Sequence, residues 1–375
     1  MNSSGHISPG LWAHPRDKSA AYTDLQYWTE LARTLERGKF DALFLADATG
    51  IHDVYRGSAD AALAQGVGAP INDPFLVVPA MAVVTEHLGF GITGTVTYEP
   101  PYLFARRITT LDHLTKGRIA WNIVTGYLDS AAKGAGLLNQ SSHDDRYDVA
   151  DEYMDVVYKL WEGSWDDDAV IRDQSTGRYI DRDRLHYVDF VGEFFSVRGP
   201  SITPRSPQAQ PLVALDADLD ESIVVAAEHA DVVFIERRYL EAARSLRNEI
   251  RERARAHGRR DDEVFVLARA DVFFGTTAER EILDARSGER WNPGPLTFTE
   301  SAAEFAELAE EWFRAGAVDG FLVRPALLPR GLDQLVEDVV PRLRERGVFR
   351  PAYEGRTLRD HFGLERPASR YEVSR

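Results

Sequence analysis

Cysteine is absent from the 375-residue chain, and methionine occurs only three times. Disulfides, thiolate nucleophiles and thiolate metal sites are excluded, and cysteine usage leaves the redox compartment open. Positive charge is in short supply as well: 44 Lys and Arg stand against 60 Asp and Glu, for a formal net charge of −16. Nucleic acid or an anionic membrane surface would repel such a chain as a whole, although a local basic pocket for a small anion is still allowed. No run approaches the roughly 18 apolar residues of a membrane span. The N-terminal MNSSGHISPGLWAHP has neither the basic nor the apolar region of a signal peptide, so a cytoplasmic protein is the expectation. G-x-S-x-G, H-E-x-x-H and Walker sequences are also missing.

What is present is globular: 44% hydrophobic and 28% charged residues, enough for a sizeable core. Apolar runs and amphipathic stretches alternate along most of the length. A helix is predicted over 23–37, a buried strand ending at Asp47, a long polar loop over 48–72, then a helix over 74–87 and a strand over 88–93. Helices over 103–114 and 146–161 flank a strand over 119–124. The segment 165–200 breaks the rhythm with Tyr, Phe and Val alternation that reads as a β-hairpin excursion. Strands over 211–215, 231–235, 264–268 and 320–323, separated by helices, complete the pattern, and a polar tail occupies about 365–375. One domain over 1–375, folded as an α/β TIM (β/α)₈ barrel, fits this alternation. A doubly wound open sheet is the competing fold, but GITGTVT and GAGLLNQ lack the dinucleotide-binding glycine spacing.

Ligands in such folds gather at the carboxyl ends of strands, which directs attention to Thr93–Gly126, TGTVTYEPPYLFARRITTLDHLTKGRIAWNIVTG. Thr93, Thr95, Thr97 and Tyr98 cluster at one strand end, and Asn122 and Thr125 near the next; for a single Thr, β-propensity is an equally simple explanation. Asp47 closes an apolar strand, a place that suits a cap as well as a ligand contact. His143 and Tyr147 lie four apart at the start of a helix, where they form either a surface pair or a grip on an anion. The acidic runs at 165–168 and 181–184 read as solvated loops rather than metal sites.

Several segments resemble the flavin-dependent monooxygenases of the bacterial-luciferase superfamily, in the branch of nitrilotriacetate, EDTA and dibenzothiophene-sulfone monooxygenases. They include GLWAHP (10–15), ELARTLERGKFDALFLAD (30–47), TYEPPYLFARRITTLDHLTKGRIAWNIVTGYLDSAA (97–132), HDDRYDVADEYMDVVYKLWEGSWDDDA (143–169), EHADVVF (228–234) and WFRAGAVDGFLV (312–323). The resemblance continues through LPRGLDQLVEDVVPRLRERGVFRPAYEGRTLRDHFGL (328–364). It implies a barrel with FMN at the carboxyl ends of the strands, contacted by residues matching Asp47, Thr93, His143 and Tyr147. It implies further that a separate flavin reductase supplies FMNH₂ and that O₂ and a small organic substrate react there, with no catalytic Cys or metal. Homodimers are usual in this branch.

The chain departs from that pattern in four places. The Q-A-G-x-S-type turn that holds the flavin phosphate is replaced by Leu215-Asp216-Ala217-Asp218-Leu219. At ~5 Å and an effective dielectric of about 20, an unpaired carboxylate would repel each unit of phosphate charge by roughly 3 kcal/mol. That reasoning expects Asp218→Ser to strengthen FMN binding. The sequence before Leu11 is too short for an obvious first strand, the segment 275–299 is short, and Gly126 stands where Ser is common. A flavin-poor, non-catalytic paralogue acting as a partner subunit is therefore the alternative to an FMNH₂-dependent monooxygenase. An unrelated sugar- or phosphate-metabolising barrel enzyme is a third reading.

Overall fold

The computed structural model describes residues 10–140, 143–287 and 290–369, with the side chains at 143–145 and 286–287 outside that description. Ten strands are present among the described residues: β1 (Ala42–Leu45), β2 (Gly89–Thr95), β3 (Ile119–Val124), β4 (Phe190–Val191), β5 (Ser196–Val197), β6 (Leu212–Asp216), β7 (Val232–Ile235), β8 (Phe265–Val272), β9 (Thr297–Phe298) and β10 (Gly320–Pro325). Seven of them pair in parallel in the order β1-β2-β3-β6-β7-β8-β10, while β9 adds to β8 where β7 has ended. Each main strand thus lies beside the next in sequence and the order never reverses. That is the winding of a barrel; a doubly wound sheet reverses at a switch point. No described strand bridges β1 to β10. The first nine residues, where a first strand would begin, lie outside the description.

The strands are apolar on both faces because both faces are covered. Leu43, Leu45, Phe90, Ile92, Trp121, Val213, Val233, Ile235 and Val266 pack outward in one large core, which the surrounding helices complete. Ala120, Leu212, Ala214, Val232 and Phe234 turn inward and meet Leu358 and Leu364 from the C-terminal segment. That segment stops the amino end of the barrel. Leu358 N–H donates to Gly117 O at 2.8 Å, and its side chain lies so close to Gly89 that a Cβ there would sit 2.6 Å from Leu358 Cδ1. With that end sealed, the opposite mouth is where a ligand can enter.

Local signals explain the surrounding helices. Leu25–Gly38 is capped by Asp24, whose side chain accepts from Gln26 N–H at 2.9 Å, and buries Trp28, Leu31 and Leu35 while Leu25 stays exposed. Lys39 ends it in the left-handed region at φ 65°. The segment 48–72 holds a short helix, Asp60–Gln65, and 275–299 holds the helix Thr277–Ser287, which the sequence reading did not anticipate. The β4–β5 pair is docked by Glu152 on the helix His143–Gly163, whose carboxylate accepts from Glu193, Phe194 and Phe195 N–H at 2.8, 3.0 and 2.7 Å.

Candidate functional site

The carboxyl ends of β1, β2, β3 and β6, with three helix starts, surround a cavity of about 370 Å³, near the lower end of the roughly 300–1,000 Å³ typical of small-molecule sites. Ile123, Val124, Leu128, Leu215 and Val225 give it apolar walls that suit a flat ring system. Its polar groups are few and come from separate elements: Asp47 beyond β1, Thr93 and Thr95 in β2, Tyr98 and Thr125 beyond the strand ends, Arg146 and Tyr147 on one helix, and Asp216 at the end of β6.

Three of the four expected contact residues, Asp47, Thr93 and Tyr147, therefore meet in one place, though up to 100 positions apart in the chain. The side chain of His143, the fourth, lies outside the described residues. Burial pushes the Asp47 carboxyl up to about 6; repulsion from Asp73 adds to this, while Ala48 N–H and Arg107 oppose it. Thr93 is buried and its Oγ1 accepts from Asn122 Nδ2 at 3.2 Å. Asn122 Oδ1 is itself buried with no hydrogen-bond partner. Burial also raises the Tyr147 phenol, helped by Glu221 and opposed by Arg146. Thr97, grouped with the site by its alternation with Thr93 and Thr95, instead hydrogen-bonds Thr125 O and does not line the cavity.

Arg146 escaped the sequence reading. It lines the cavity, has no ion-pair partner among the described residues, and its Nε is buried without a hydrogen bond. A buried, unpaired guanidinium edge is costly unless an anion completes it. The signal was available: Arg146 sits in HDDRYD between the two residues that were chosen.

The replaced turn also differs from expectation. Asp218 does not line the cavity; its Oδ1 accepts from Glu236 N–H and from Arg237 Nη1, both at 2.9 Å. Asp216 does line it, but is ion-paired with Arg269, which also binds Glu236. Burial raises the Asp216 carboxyl, against the pull of Arg269. Both carboxylates thus have a cation beside them, and the unscreened repulsion expected from sequence does not apply. The partners come from just past β7 and from the middle of β8, a juxtaposition that only the barrel makes. The acidic runs are likewise paired, Asp167 with Arg205 and Arg366, and Asp168 with Arg184.

A parallel barrel whose carboxyl-end cavity combines apolar walls, a carboxyl, hydroxyls and an arginine with no ion-pair partner among the described residues is the class of site that takes a flat heteroaromatic cofactor with an anionic tail. The orphaned Arg146 Nε lies on a residue that lines the cavity, and it is a group such a cofactor can satisfy. Comparison with known proteins narrows the class. The profile of the luciferase-like monooxygenase family matches residues 6–318. Long-chain alkane monooxygenase of Geobacillus thermodenitrificans (strain NG80-2) is 40% identical, covering 96% of this chain and 92% of that protein. Dibenzothiophene-sulfone monooxygenase of Rhodococcus erythropolis is 34% identical over 96% and 94%. A crystal structure of riboflavin lyase with modified FMN and riboflavin superposes with a TM-score of 0.89 at 29% identity, over 98% of this chain and 95% of that one. The chain belongs to the luciferase-like monooxygenase family, and with it to the flavin-dependent oxidoreductases whose cofactor is FMN.

Proposed function

We propose that the protein is the oxygenase component of a two-component system: FMNH₂ from a separate reductase occupies the cavity, and one atom of O₂ is transferred to a small organic substrate. The observation that carries this is the convergence of Asp47, Thr93, Arg146 and Tyr147 on one apolar-walled cavity in a chain of this family. Reduced FMN supplies the two electrons that activate O₂. The protein binds, orients and keeps water out. Arg146, in the first turns of the helix His143–Gly163, would hold the phosphate. Asp47 and Thr93 would hold the polar edge of the ring, and the apolar Ile123, Leu215 and Val225 would receive its faces and keep water out.

The working unit is a homodimer. The helix Pro74–Val83, PFLVVPAMAV, is apolar on all sides, yet Leu76 is 75% and Val83 86% exposed. An all-round apolar helix belongs in an interior, and a second copy of the chain supplies one here. The flavin-free partner subunit remains the competing reading and draws on Asp216, the carboxylate that still faces the cavity. Titration with FMN and with photoreduced FMN separates the two. Absence of binding of either at ~100 µM, equivalent to only about 5.5 kcal/mol, would falsify the oxygenase reading.

A further inference from the structure

Building on that reading, we propose that Tyr127 is a catalytic proton donor at the mouth of the cavity and that His52 positions and recharges it. Tyr127 lines the cavity just past β3, and its Oη lies 3.3 Å from His52 Nδ1, with the two rings tilted and 6.2 Å apart. Two other hydroxyls of the site are engaged: Tyr98 OH donates to Gln140 Oε1 at 2.7 Å, and Thr93 Oγ1 accepts from Asn122 Nδ2. Tyr127 is a cavity phenol with a titratable base beside it. Burial, reinforced by Asp53, raises the phenol and keeps its proton on it until it is needed.

The segments that carry the two residues are tied together by built contacts. Ser130 N–H donates to Asp53 Oδ2 at 3.1 Å, and Ser130 Oγ donates to Ile51 O at 2.6 Å. Between those ties, Gly50 comes so near Ala131 that a Cβ would stand 2.5 Å from its backbone nitrogen. On the far side, a Cβ on Gly68 would fall 2.5 Å from His52 Cδ2 and 2.6 Å from Nε2, so the imidazole is seated against that glycine. Two segments from opposite sides of the cavity mouth are thereby fixed with the imidazole behind the phenol.

The Nδ1–H form of His52 donates to Oη and leaves the phenolic hydrogen free for the cavity. In the overall reaction, S + O₂ + FMNH₂ gives SO + H₂O + FMN. The Oη–H bond breaks, a new O–H bond forms on the oxygen that leaves as water, and His52 passes its Nδ1 proton to Oη while a solvent proton is taken up at Nε2, so the imidazole stays neutral. The half-buried imidazole then reloads from solvent, which takes up the protons that the cofactor gives up on oxidation. Without substrate the same donor serves the reduction of O₂ to H₂O₂, so the step can be followed before the substrate is known.

The test uses the holoenzyme, with photoreduced FMN bound, mixed with O₂ in a stopped-flow instrument. Tyr127→Phe should slow the return of oxidised-flavin absorbance by about 10²-fold and abolish its solvent deuterium isotope effect, with FMN affinity unchanged. His52→Ala should slow it about tenfold, and added imidazole should restore it; imidazole should do nothing for Tyr127→Phe. A readout independent of turnover comes from the apo-protein labelled with ¹⁵N-histidine: the His52 Nδ1–H resonance should shift in Tyr127→Phe. An unchanged reoxidation rate in Tyr127→Phe, failure of imidazole to rescue His52→Ala, or an unshifted resonance overturns the proposal. A wild-type protein that binds no flavin sinks the oxygenase reading itself and is seen first, in the titration.

Discussion

Replacing Arg146 with alanine tests the cofactor geometry directly. Its guanidinium lines the cavity without a carboxylate partner among the described residues, and its buried Nε has no hydrogen bond. No ion pair among the described residues is lost in the variant, so stability should change little. Binding should change a great deal. A hydrogen bond to a charged group contributes about 1.5–3 kcal/mol, which corresponds to roughly 10- to 150-fold in Kd. The measurement is quenching of flavin fluorescence, run in parallel with FMN and with riboflavin, which shares the ring and ribityl chain but has no phosphate. Arg146→Ala should weaken FMN by that factor and leave riboflavin within about threefold. Arg146→Lys should fall between, because an ammonium keeps the charge but loses the forked geometry. Equal losses for both flavins would place Arg146 against the ring or the fold. No loss for either would mean that the phosphate is held elsewhere, and the reasoning from the unpaired guanidinium would fail.

Asp218→Ser, which the bare sequence marks as a route to tighter FMN binding, should leave affinity nearly unchanged because its carboxylate faces Glu236 N–H and Arg237. It should instead lower stability by about 1–2 kcal/mol in urea unfolding, and a tenfold gain in FMN affinity would contradict the structure. Asp47 gives a pH signature. The folded protein holds its proton to about 6 against an ordinary value of 3.8, so between those values the folded state binds more protons than the unfolded chain. The contribution is complete below pH 4 and is lost as pH rises through 6. Urea midpoints measured from pH 4 to 7 should show that decline in the wild type and a flatter profile in Asp47→Asn; identical profiles would remove Asp47 from the buried set. For the dimer face, a Leu76→Glu/Val83→Glu double variant should sediment as a 42.1 kDa monomer where the wild type sediments at twice that mass. A wild-type monomer, or a variant that still dimerises, would place the interface elsewhere.

The barrel was readable from the alternation of short apolar runs with amphipathic stretches, because a strand covered on both faces must be apolar throughout and its crossover helix must carry a stripe. Position drew attention to Asp47, Thr93 and Tyr147, because carboxyl ends of strands and the first turn of a helix are where a chain has polar groups to spare, but a cap, β-propensity or a surface pair explained them equally well until the family resemblance singled them out. Cysteine-free chemistry and the negative overall charge were equally fixed by composition. Tertiary structure decided which charges neutralise one another. Arg237 and Arg269 are separated from Asp218 and Asp216 by 19 and 53 positions, and strand neighbours in the barrel bring them together. Electrostatic energy depends on distance in space, so a turn that reads as hostile to phosphate becomes a set of closed ion pairs. The same folding left Arg146 Nε without a hydrogen bond among the described residues and set His52 beside Tyr127, 75 positions away.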